Sequence, residues 1–194
     1  VPPSQRPRFA ALISGRGSNL RAILDADVGG VCVGVVSSNA TARGLEIAHE
    51  HGIPTAVVSA ADGFGSRAEY DAAVEAHLHA WNAEWVVLAG FMRILSDEFV
   101  RRWPRRIVNI HPSLLPDFPG LAPQRQAIEA GATRSGCTVH YVAPGDVDSG
   151  PVIAQAAVDV LPTDDEASLT ARILEAEHTL YPATLRRLFG SLDA

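Results

Sequence analysis

Residues 107–118 read Ile107-Val108-Asn109-Ile110-His111-Pro112-Ser113-Leu114-Leu115-Pro116-Asp117-Phe118. The apolar run over 107–110 predicts a buried strand. Asn109 and His111 lie two apart, so in an extended chain their side chains share one face. Pro112 fixes its own φ and disfavours helix for His111, and Pro116 stiffens the exit. An amide and an imidazole thus stand together at the end of a strand, where open α/β sheets bind ligands. An amide donor beside a titratable ring suits a reaction in which a carbonyl oxygen becomes an oxyanion. A histidine at a strand end is also common as plain structure, so other motifs must decide.

Upstream of this stretch, 9–13 predicts an apolar strand. Ser14-Gly15-Arg16-Gly17-Ser18-Asn19 follows, then Leu20, Ile23 and Leu24 at helical spacing. A second strand is expected over 31–36, a helix over 42–51 stopped by Gly52 and Pro54, and a short strand over 55–58. A glycine-rich loop over 60–66 precedes a helix over 67–81, with Tyr70, Val74 and Leu78 at a spacing of four. The continuous apolar run 85–89 predicts a strand covered on both faces. Ser96 caps a short helix ending near Trp103.

Downstream, 124–129 predicts a helix stopped by Gly131. The alternation over 137–143, with Thr138 and His140 against Val139 and Tyr141, predicts a half-exposed strand. A strand over 152–160 should run antiparallel to it, because the connection is short. A helix over 166–189 closes the pattern, with Pro182 expected to break or bend it. The strand and helix order predicts an α/β fold: a Rossmann-like open, mostly parallel sheet of about seven strands, helices on both faces, and a late antiparallel hairpin. No linker divides it, so residues 1–8 are expected as a loose tail and 9–194 as a single domain.

Bulk composition excludes several classes. Of 194 residues, 47% are hydrophobic and 20% charged, and the formal net charge is −6. That is a globular composition, and its sign argues against a general nucleic-acid binder. Cys32 and Cys137 fall in no metal-ligand or disulfide spacing, which fits a reducing, cytoplasmic setting. No apolar run is long enough to span a bilayer, and no metal is expected. Arg101, Arg102, Arg105 and Arg106 flank Trp103-Pro104 and are expected as a solvated helix end, as are His49, His51, His77 and His79 on helix faces.

The glycine loop predicts a phosphate site. Glycines let backbone approach an anion, and a helix N-terminus offers free N–H groups. Ser18 and Asn19 add side-chain donors. A dinucleotide fingerprint is excluded: Leu20 occupies the third glycine position, and the second strand ends in Ser37-Ser38-Asn39 without an acid for a ribose. A mononucleotide or sugar phosphate fits better, and a tight turn with an ordinary N-cap is the alternative. Arg93, with Met92 before it and Ile94-Leu95 after it, offers an apolar wall with one cation, suited to a flat acidic ligand. Asp148 lies in a loop able to cross the strand ends and orient His111. Each of these also has an ordinary reading as a surface residue.

Taken together, the stretches Ile-Ser-Gly-Arg-Gly-Ser-Asn-Leu, Val-Val-Leu-Ala-Gly-Phe-Met-Arg-Ile-Leu, Asn-Ile-His-Pro-Ser-Leu-Leu-Pro and Val-Asp-Ser-Gly-Pro-Val-Ile resemble those of the folate-dependent phosphoribosylglycinamide formyltransferases. They occur in the family's order, and Ala-Glu-His-Thr-Leu-Tyr-Pro near the end fits the same branch. The resemblance implies the formyltransferase fold. It also implies transfer of a formyl group from 10-formyltetrahydrofolate, as cosubstrate, to the amine of glycinamide ribonucleotide in purine synthesis. It places Asn109, His111 and Asp148 on the catalytic trio. Gly17, Ser18, Asn19 and Glu177 fall on substrate-binding positions. Arg67, Met92, Arg93, Ile94, Leu95, Asn109, Val142 and Asp146 fall on folate-contacting positions. The implied partners are small molecules, with no nucleic acid or membrane, and the implied state is a monomer or homodimer. Two departures stand out: one residue more than the family's usual spacing between His140 and Asp148, with Pro144-Gly145 in effect inserted, and no His near Gln124. A formyl-folate hydrolase and a non-catalytic nucleotide-binding module are the competing readings. A methionyl-tRNA formyltransferase is expected to carry a further tRNA domain.

Overall fold

The computed structural model describes residues 6–190. Its elements run β1 (Arg8–Ile13), α1 (Ser18–Asp25), β2 (Val31–Ser37), α2 (Gly44–Glu50), β3 (Thr55–Val57), α3 (Arg67–Ala80), β4 (Trp85–Leu88), α4 (Asp97–Arg102), β5 (Ile107–His111), α5 (Pro123–Glu129), β6 (Arg134–Tyr141), β7 (Val152–Asp159) and α6 (Glu166–Gly190). One seven-stranded sheet has the order β3-β2-β1-β4-β5-β6-β7. The β1–β2, β1–β4, β2–β3 and β4–β5 pairs are parallel, and β5–β6 and β6–β7 are antiparallel. The expected fold class is the observed one.

Strand alternation sorts the core into two layers. Phe9, Ala11 and Ile13 of β1 join Val35, Val87, Val108 and Ile110 beneath α1, α2, α5 and α6. Ala10 and Leu12 join Val36, Val86, Leu88 and Ile107 beneath α3 and α4. Asn109 and His111 follow Ile107 at even spacing and face the second side. There α3 and α4 cover β2, β1 and β4, and the ends of β5 and β6 are left to loops. This is how the sheet comes to present polar side chains at one end without exposing its core.

The structure corrects several expectations. β6 is buried along nearly its whole length, so it is no half-exposed strand. α6 runs unbroken through Pro182. Tyr181 holds it there, its buried hydroxyl donating to Leu88 O at 3.0 Å and Val108 O at 2.9 Å. The arginines around Trp103 are not simply solvated: Arg105 stacks over Tyr141 and Arg106 over Trp85. His51 is not merely solvated either, pairing with Asp25 at 2.9 Å. Of the expected tail, residues 1–5 lie outside the described residues. Arg6 pairs with Asp27, Pro7 O accepts from Val31 N–H, and Arg8 opens β1. Among the described residues, no helix is long and apolar enough to cross a membrane.

Candidate active site

β1 lies between β2 and β4 in the sheet, so the chain reverses its direction of travel across the sheet there. Open α/β sheets bind ligands beyond the strand ends at such a point. A cavity of about 780 Å³ opens there, walled by the loops after β1, β4 and β5, the β6–β7 loop and the inner face of α6.

Asn109 and His111 end β5 side by side, as their spacing requires. Antiparallel register sets His140 of β6 directly opposite Asn109. Asn109 Nδ2 donates to His140 Nε2 at 3.1 Å, while His140 Nδ1 donates to Tyr141 O at 3.0 Å. That network assigns the His140 proton to Nδ1. The second Nδ2 proton of Asn109 has no partner among the described residues. His111 Nε2 donates to Phe118 O at 3.0 Å, and its Nδ1 lies 3.2 Å from Asp148 Oδ2. Both nitrogens of His111 therefore face acceptors.

Asp148 reaches the pair from the β6–β7 loop with a left-handed backbone, φ 59°. Its Oδ2 also accepts from Gly120 N at 3.0 Å, and its Oδ1 lies 3.6 Å from His140 Nε2. Burial acts to raise its pKa. The polar contact with His140, the Gly120 N–H and the neighbouring His111 outweigh this and hold the carboxyl below its ordinary value. Residues 118–120 thus touch both members of the His111–Asp148 pair. The half-exposed strand predicted over 137–143 gives no sign of this role for His140, which is buried.

At the other end, Gly17 is the N-cap of α1, with φ 76° and no side-chain capping bond. A Cβ on Gly17 would come within 2.5 Å of Gly44 Cα, so glycine alone lets this loop pack on α2. The first-turn N–H groups of α1 are left for a ligand. Gly17, Ser18 and Asn19 line the cavity, and so does Arg16. Arg16 also borders a shallower hollow beside Thr170 and Leu174, and its guanidinium has no partner among the described residues. Arg16 was not singled out from the sequence, although its place between two glycines was the available signal.

Glu177 lies between Ile173 and Tyr181 on the buried stripe of α6. Asn19 Nδ2 donates to Glu177 Oε2 at 2.8 Å, and Asn19 Oδ1 is buried without a partner. Burial raises the Glu177 carboxyl from 4.5 to about 7, against the lowering effect of the Asn19 bond. Between those values the folded chain holds a proton that the unfolded chain has released. Stability therefore falls as pH rises through this window. Glu177→Gln keeps an acceptor for Asn19 and abolishes the titration. Its melting temperature is expected to exceed that of the wild type at about pH 8 and to match it below about pH 4.5. Thermal melts across that range check the sign.

The folate-side candidates are mostly brought together. Met92, Arg93, Ile94, Leu95, Val142 and Asp146 all line the cavity. The Arg93 guanidinium lies 4.1 Å from the Tyr70 ring centroid. Met92, Ile94, Leu121 and Val147 leave an exposed apolar rim. Gly145, in the β6–β7 loop, donates its N–H to Asp97 Oδ1 at 3.0 Å. Arg67 is the exception. It is exposed at the start of α3 and does not line the cavity.

A family model described as formyl transferase matches residues 7–185. The chain belongs to the formyl transferase family. A phosphoribosylglycinamide formyltransferase of Escherichia coli is 46% identical over 181 residues, covering 91% of this chain and 84% of that protein. A trifunctional purine biosynthetic protein of Drosophila pseudoobscura is 54% identical over 189 residues, 94% of this chain, which spans only 14% of that relative's length. Among solved structures, glycinamide ribonucleotide transformylase 1 from Symbiobacterium toebii matches with a TM-score of 0.93 at 44% identity, covering 96% of this formyl transferase and 89% of that chain.

Proposed function

We propose that this formyl transferase moves the formyl group of 10-formyltetrahydrofolate to the amine of glycinamide ribonucleotide. The observation that carries the reading is the convergence of Asn109, His111 and Asp148 in one cavity that also holds an unsatisfied helix N-terminus. The apolar wall with Arg93 suits a flat acidic donor, and the loop over 15–19 suits a phosphate. The names of the relatives, a phosphoribosylglycinamide formyltransferase and a glycinamide ribonucleotide transformylase, support formyl transfer to this acceptor.

Attack of the amine on the formyl carbon places negative charge on the formyl oxygen. Asn109 has a free Nδ2 proton to donate to it. His111 Nε2 donates to Phe118 O, and donation to a reacting oxygen exchanges that carbonyl for the ligand. Asp148 keeps the ring oriented and balances its charge, and serves proton removal from the amine, directly or through water. The amine is itself the nucleophile, so no side chain needs to attack. Collapse of the oxyanion re-forms the carbonyl and breaks the bond from the formyl carbon to the folate nitrogen, which leaves with the proton taken from the amine.

The cation at the phosphate end is Arg16. Arg16→Ala is expected to raise the KM for the ribonucleotide about 10-fold or more, the worth of one charge-assisted hydrogen bond, with little change in kcat. It should also flatten the salt dependence of that KM. Steady-state kinetics at several ionic strengths check both.

Mixing the protein with glycinamide ribonucleotide and a 10-formyl folate, and following absorbance of the deformylated folate, tests the reading. Turnover that needs both reactants is expected. Deformylation without the ribonucleotide identifies a hydrolase instead, and binding without turnover identifies a nucleotide-binding module.

A further inference from the structure

We propose that Ser14 is a positioning residue that sets the phosphate-side loop and the loop after β4 in register, and so fixes how the two reactants meet. The proposal rests on the transferase reading. Ser14 is the first residue after β1. Its N–H donates to Gly90 O at 3.0 Å, and its Oγ accepts from Met92 N–H at 2.8 Å. Ser14 Oγ also lies 2.6 Å from Ser38 Oγ, a hydrogen bond in which either hydroxyl can donate while Ser14 keeps a lone pair for Met92. β2, β1 and β4 are neighbours in the sheet, so one hydroxyl stitches together the segments that leave three adjacent strands.

The stitched loop has few other hydrogen bonds. Gly90 turns it with φ 78°, and at its far end Asp71 Oδ2 accepts from Ser96 N at 2.8 Å. Among the described residues, the backbone of 93–95 makes no hydrogen bond between those two points. Arg93 leans on Tyr70 by its side chain. The hydrogen bonds of the loop that carries Met92, Arg93, Ile94 and Leu95 thus run to Ser14 and Asp71, while Leu95 and Phe91 pack on the core layer beneath α3 and α4. Of these two anchors, only Ser14 begins the phosphate-side loop. Removing its hydroxyl frees the donor side of the cavity and leaves the glycine turn in place.

Ser14→Ala is expected to weaken binding of the formyl folate about 5- to 10-fold, what one neutral hydrogen bond is worth. It should also speed hydrogen exchange at the Met92 amide. The dissociation constant of glycinamide ribonucleotide should stay within about twofold. Ser14→Cys, close in size with a weaker acceptor, should fall between. Ser38→Ala retains the Met92 bond and should change donor binding little. Calorimetry with each reactant separately, together with amide exchange, reads all of this. Equal donor affinity in wild type and Ser14→Ala, or equal losses for both reactants, overturns the proposal and leaves the transferase reading standing. A wild-type protein that binds no formyl folate removes both.

Discussion

Asn109→Ala is expected to lower kcat about 100- to 1,000-fold while the dissociation constants of both reactants change only a few-fold. An oxyanion donor acts where charge develops, so its loss appears in the transition state far more than in the bound ground state. Asn109 is held for this role from behind: one Nδ2 proton is committed to His140 Nε2 and the other is free. His111→Ala is expected to lose a similar factor, because it removes a second donor together with the group that Asp148 and Phe118 O hold in place. Single-turnover rates and separately measured dissociation constants distinguish the two kinds of loss. Near-normal turnover in either variant would take that residue out of the oxyanion role. Equal losses in rate and in binding would point to collapse of the β5 end.

These residues were legible for different reasons. Asn109 and His111 stood out because a period of two is a local property and the prolines after them end the strand. Asp148 is a candidate from its loop, but spacing alone favours an ordinary loop Asp; it reaches His111 through the β6–β7 loop, and the resemblance singles it out. His140 was hidden by a rule that usually works. Polar residues alternating with apolar ones normally mark a solvent face. In β6 the polar face, Thr138 and His140, turns toward the end of the sheet that no helix covers, and loops bury it there. Only the long-range β5–β6 register reveals that His140 opposes Asn109.

Glu177 carried a readable signal. Leu169, Ile173, Glu177, Tyr181 and Leu185 recur every four residues, so a carboxylate sits on the buried stripe of a helix. Such a group is costly unless partnered, and Asn19 is the partner. Pro182 misled in the opposite direction. A proline inside a helix removes one donor, but the packing of Tyr181, Leu185 and Phe189 into the core keeps the helix continuous through it. Arg67 was placed by resemblance alone, and nothing in its local sequence indicates which way the exposed start of α3 faces.

Asp148→Asn is expected to reduce kcat about 100-fold or more with the backbone undisturbed. The choice of Asn matters. Asp148 sits at φ 59°, a conformation that Asn adopts readily and Ala does not, so an alanine variant would mix backbone strain with loss of the carboxylate. An Asn side-chain oxygen still accepts from Gly120 N, so the loop over 118–120 keeps its anchor. What changes is the charge facing His111 Nδ1. The stability signature has a definite sign. A carboxyl with a depressed pKa stabilises the fold above its unfolded value of about 3.8 and loses that contribution as pH falls through the folded value. The melting temperature of Asp148→Asn should therefore lie below that of the wild type at neutral pH, and the gap should close below about pH 3.8. A variant with normal turnover would leave Asp148 as a loop anchor alone. A variant that loses turnover but keeps both dissociation constants would place the carboxylate in the chemistry, acting through His111.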